Sequence, residues 1–86
     1  MKTLTFLSPD QIREEAENAL VTATSLVVKM EDPRIRHHQE FLEGKLAMCR
    51  RNIQDKAGMV RGECAQIIDA ANRLMLEVSP KRIHTL

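Results

Sequence analysis

The chain has no tryptophan, no tyrosine and only two phenylalanines, Phe6 and Phe41, among its 86 residues. Single-stranded nucleic acid is held largely by aromatic side chains on which bases stack, so that platform is missing. No stretch approaches the ~20 consecutive apolar residues that a membrane-spanning helix needs. The opening Met1-Lys2-Thr3-Leu4-Thr5-Phe6-Leu7 is too short and too broken by threonine to serve as the apolar centre of a signal peptide. A soluble, cytoplasmic protein is expected. Glycine is scarce as well, and Gly44, Gly58 and Gly62 do not form a phosphate-cradling run after a strand. No grouping of Ser, His and Asp suggests an activated nucleophile. Neither sign of charge dominates, with thirteen Lys and Arg against twelve Asp and Glu, which removes any wholesale attraction to nucleic acid or lipid. Neither enzymatic activity nor a cofactor is expected.

Two further groupings carry little chemistry. His37-His38, followed by Glu40 and Glu43, is the one cluster that resembles a metal site. Adjacent positions on a helix diverge by about 100°, and the set has neither the i, i+4 histidines of a zinc helix nor the Glu-x-x-His pattern of di-iron bundles. It reads as a solvated helix start, and no metal is expected. Cys49 and Cys64 are the only cysteines. On one continuous helix they would stand about 22 Å apart, well past the ~7 Å limit for a disulfide. They read as small buried hydrophobes in a reducing compartment, with redox control as the alternative.

What the chain does have is helical periodicity. Ser8 reads as an N-cap with Pro9 at the first helical position, and Gln11 completes the S-x-x-Q capping box. Leu7 and Ile12 occupy the two places of a hydrophobic staple. A first helix follows over residues 9–31, with Ile12, Ala16, Ala19, Ala23, Leu26 and Met30 at spacings of four and three. Pro33 disfavours helical geometry at Asp32, and Asp32-Pro33 reads as cap and first position of the next helix after a link of two or three residues. From Leu42 to Val78 a second apolar stripe runs unbroken through Leu46, Cys49, Ile53, Ala57, Val60, Cys64, Ile67, Ala71 and Leu74. It predicts one helix over 33–78, roughly 70 Å long. The alternative is a break at Asp55-Lys56-Ala57-Gly58. Gly58 and Gly62 would each cost about 1 kcal/mol inside the continuous helix, which favours the break, and they are also positions where another helix could approach closely. Residues 1–7 form an arm and 79–86 a basic tail after Ser79-Pro80.

The expected fold is therefore all-α and a single domain. It is an antiparallel helical hairpin with a long second helix, coiled-coil-like and self-associating, with a three-helix bundle as the alternative. Residues 1–32 carry three basic and six acidic side chains, whereas 33–86 carry ten basic and six acidic ones. Antiparallel packing of the first segment on the second is thus favoured by opposite fields. A short first helix cannot cover a second one twice as long. The uncovered part of the stripe, with Leu46, Cys49, Ile53, Val60, Cys64, Ile67 and Leu74 as its seam, predicts a dimer or tetramer.

Arg34, Arg36, His37, His38, Arg50, Arg51, Lys81 and Arg82 could meet phosphate, but acidic residues are interleaved throughout. A mixed-charge solvated face is the better reading, and direct nucleic-acid binding is not expected. Met48, Met59, Arg50, Arg51 and Arg61 combine adaptable apolar surface with the charged residue type enriched at protein interfaces, which makes them the candidate partner-binding residues.

In plan, with Ser8-Pro9-Asp10-Gln11, a tight link at Asp32-Pro33 and a stripe from Leu42 to Val78, the chain resembles the small antirepressors of temperate bacteriophages. The resemblance implies a non-enzymatic regulator that binds a transcriptional repressor and weakens its hold on operator DNA. A structural coiled-coil adaptor and a helical DNA-binding protein are the alternatives.

Overall fold

The computed structural model describes residues 8–78 and contains three α-helices: α1 (Pro9–Val28), α2 (Arg36–Asn52) and α3 (Ala57–Val78). A single 3-10 turn, Pro33–Ile35, leads into α2. The start of α1 follows from local chemistry alone. The Gln11 backbone N–H donates to Ser8 Oγ at 3.1 Å, and the Ser8 N–H donates back to Gln11 Oε1 at 2.9 Å. Two of the amides that a helix start leaves without partners are thereby satisfied. Leu7, the outer half of the expected staple, lies outside the described residues, as do the arm and the tail.

Helix α1 ends at Val28, three residues before Glu31, so the link is longer than two or three residues. Lys29 and Met30 close it with N–H bonds to the Leu26 and Val27 carbonyls. The Met30 side chain is then drawn into the core, where it is fully buried. Asp32 caps the next element as expected, accepting the Arg34 backbone N–H at 2.8 Å, although a 3-10 turn precedes the α-helix.

The continuous second helix is overturned. The chain reverses over residues 53–56, where the Asn52 carbonyl accepts the N–H groups of Asp55 at 3.2 Å and Lys56 at 2.7 Å. The result is a three-helix bundle rather than a hairpin. Its described residues extend 48 Å in their longest direction, well short of a 70 Å rod. The apolar stripe did not betray the turn because the four-residue connection is close to one helical repeat of 3.6 residues. Ile53 remains in the core at its start, and Ala57 is half-buried at its end. No described residue, glycine included, adopts a positive φ, so the reversal needs none of the glycine or asparagine that usually marks one. No other helix of this chain approaches Gly58 or Gly62 closely, since a Cβ built at either meets no atom within 4 Å.

Helices α1 and α3 lie side by side and parallel, with α2 returning antiparallel to both. At one end Glu15 pairs with Arg61 at 2.7 Å. At the other, the Arg34 guanidinium donates to the Val78 carbonyl at 3.0 Å. The acidic first segment thus meets the basic second one, but the helix it packs against most extensively runs in the same direction. Ala16, Ala23 and Ala71 have no exposed surface, and such small side chains let two helix backbones approach closely. Gln39 secures α2 to the end of α1 by donating to the Val27 carbonyl at 2.9 Å. No polar side chain is buried among the described residues, so the core is held together by apolar burial.

Candidate protein-binding face

Every seam residue lies on the inner side of this one chain. Leu46, Cys49, Ile53, Val60, Cys64 and Ile67 are buried, and Leu74 is half-buried against them. The reversal at 53–56 supplies from within the chain the partner helix that the expected rod would have sought in a second copy. A surface for association must come from elsewhere.

The reversal also builds a cleft. Met48 near the end of α2 and Met59 near the start of α3 are 58% and 46% exposed. Both line a hollow of about 200 Å³ together with Lys45, Cys49, Asn52 and Glu63. Lys45 Nζ and Glu63 Oε1 meet at 3.5 Å across it, with both side chains over a third exposed. Such a pair contributes little to stability because water screens it. A second hollow adjoins the first, lined by Phe41, Leu42, Lys45, Gln66, Ile67 and Ala70. Phe41 is 63% exposed, and Lys45 Nζ stands 5.4 Å from its ring centroid, within cation–π reach. Phe41, Lys45 and Met48 share one outward stripe of α2 at spacings of four and three, flanked by Met59 and Glu63 of α3. Phe41 is the residue that the sequence reading missed as a contact candidate, and its spacing from Met48 was the available signal.

The arginines do not join this face as a group. Arg50 donates to Thr24 Oγ1 at 3.3 Å and lines a hollow on the α1 side of α2, with Val27, Val28 and Glu43. Arg61 is half-buried in its ion pair with Glu15, and Arg51 is exposed near the end of α2. Of the five candidates, the fold brings together Met48 and Met59.

Three titrating groups are shifted, the first being the Arg34 guanidinium, which is raised chiefly by its side-chain bond to Asp32. The Asp32 carboxyl is lowered to about 2, chiefly by its side-chain bond to Arg34, Arg34 Nη2 lying 2.7 Å from Asp32 Oδ2. The Cys64 thiol is pushed up to about 12, first by burial and then by the Cys49 thiol beside it. The 22 Å separation therefore fails, because it supposed one helix where the chain turns back on itself. The imidazoles of His37 and His38 lie 4.3 Å apart, centroid to centroid, on exposed surface. Among the described residues, no three His, Cys, Asp or Glu side chains are grouped to hold a metal ion, and no helix is long and apolar enough to cross a membrane. Compared with protein-family models, curated proteins and solved structures, the chain matches none.

Proposed function

We propose that this chain is a non-enzymatic, protein-binding regulator of the antirepressor kind, self-associating, which engages a transcriptional repressor and weakens its hold on operator DNA. The observation that carries the reading is the pair Met48 and Met59, exposed together at one cleft and continued by Phe41. Unbranched, polarisable methionine side chains adapt to irregular partner surfaces, and large apolar side chains left in water side by side mark an interaction site more often than scattered ones do. Lys45 and Glu63 lie within the same face and provide charges that can orient a partner. To release operator DNA, the chain must bind the DNA-free form of the repressor more tightly than the DNA-bound form, because only that difference shifts the equilibrium.

A gel-shift experiment tests this directly. The purified chain is titrated into repressor–operator complexes made from the repressors of its native host. Release of free DNA by the wild-type chain is expected, with that release lost in Met48→Glu and in Met59→Glu. Both substitutions fall on exposed positions and should leave the helical content and unfolding midpoint nearly unchanged. No release from any of these complexes would refute the reading, as would retardation of bare operator DNA by the chain alone.

A further inference from the structure

The seam between α2 and α3 holds two thiols, Cys49 and Cys64. Cys49, on α2, is almost fully buried but forms part of the wall of the Met48–Met59 cleft, and Cys64, on α3, has no exposed surface. The register of the two helices brings these positions together. Lys45 meets Glu63 across the seam, Cys49 stands one turn beyond Lys45 on the inner side of α2, and Cys64 directly follows Glu63. Cys49 and Glu63 line the same hollow, and the two thiols interact with each other. Both are free.

We propose that Cys49 and Cys64 are a paired oxidation site that closes to an intramolecular disulfide, fastening α2 to α3 across the turn. With a low-molecular-weight disulfide such as oxidised glutathione as the oxidant, two exchange steps balance the reaction. Cys49 loses its proton and its sulfur attacks one sulfur of the oxidant, whose S–S bond breaks and releases one glutathione thiol. Cys64 then gives up its proton and attacks the Cys49 sulfur of the mixed disulfide, releasing the second glutathione. Two protein thiols are oxidised and one glutathione disulfide is reduced to two thiols. The first attack falls to Cys49 because it reaches the cleft. The second is slow, because only a thiolate attacks and the apolar surroundings of Cys64 oppose its formation. The bond closes a loop of about fifteen residues and restricts the unfolded chain. The proposal does not rest on the reading of the cleft as a repressor-binding site.

The test uses the reduced, folded chain exposed to oxidised glutathione without denaturant, followed by alkylation and intact-mass measurement. The expected product has lost both titratable thiols and two hydrogens, carries no glutathione, and runs as a single chain on a non-reducing gel. Its thermal midpoint lies above that of the reduced chain by on the order of 10 °C, and dithiothreitol reverses the shift. Cys64→Ala should stop at one glutathione on Cys49, and Cys49→Ala should remain unmodified while folded. Persistence of both thiols would overturn the proposal. So would a bridge between two chains, or a bond that forms only in denaturant and lowers the midpoint; these readings on the wild-type chain hold even if an alanine variant folds poorly.

Discussion

Replacing Gly44 and Gly62 by alanine sets two physical accounts of this chain against each other with opposite signs. Both glycines sit in helix interiors, Gly44 within α2 and Gly62 within α3. A methyl group at either would meet no atom within 4 Å. Glycine inside a helix costs roughly 0.5–1 kcal/mol relative to alanine, because more backbone freedom is lost on folding. Gly44→Ala and Gly62→Ala should therefore each stabilise the fold by about that amount. The substitutions lie on different helices with no shared partner, so the double variant should gain about 1–2 kcal/mol. For a domain of this size that corresponds to a rise of roughly 4 to 16 °C in thermal midpoint. If instead a helix of this chain or of a second copy approached Gly62, the added Cβ would be forced into occupied space and cost about 1–3 kcal/mol. Urea denaturation decides between them, provided the slope with denaturant stays constant. A lower midpoint for Gly62→Ala at unchanged slope would refute the open placement of that glycine.

Other substitutions probe the remaining joints of the bundle. Ser8→Ala removes the acceptor of the Gln11 N–H and should cost about 1 kcal/mol, measured by the same urea titration. Leu46→Ala empties a position that is 1% exposed and should cost about 2–5 kcal/mol. Because Leu46 is buried within one chain, that loss should be the same at low and high protein concentration, and a concentration-dependent loss would return Leu46 to a contact between copies. Asp32 titrates at about 2 in the folded chain against an ordinary 3.8. The stability that its bond to Arg34 supplies is therefore complete above about pH 4 and is lost as pH falls through about 2. Asp32→Asn should flatten the fall of the unfolding free energy in that window and leave the profile above it parallel to wild type.

Where the signals were local, the sequence was readable. The capping box at Ser8 and Gln11 needs only the side chains of one turn, and the cap at Asp32 needs only its neighbours Pro33 and Arg34, so both could be placed from residue order. The stripes of α1 and of α2 with α3 were equally plain, because burial on one side of a helix repeats every three or four residues whichever surface covers it. Periodicity says that Leu46, Val60 and Ile67 are covered; it is silent on whether the cover is another chain or the same chain folded back. That silence is physical. A reversal whose length matches a helical repeat, and whose backbone never leaves the negative-φ region, leaves no mark on the spacing of apolar residues and demands no glycine. The same hidden turn decides the candidate site. Met48 and Met59 could be chosen by residue type, but their adjacency, the exposure of Phe41 beside them and the meeting of Cys49 with Cys64 all depend on α3 running back along α2. The arginines were chosen by type too, and the fold scatters them, because Arg50 and Arg61 lie on the sides of their helices that face α1, where Thr24 and Glu15 engage them. Residue chemistry thus nominated the methionines and set the thiols aside as core, and a four-residue connection determined which side chains could act together.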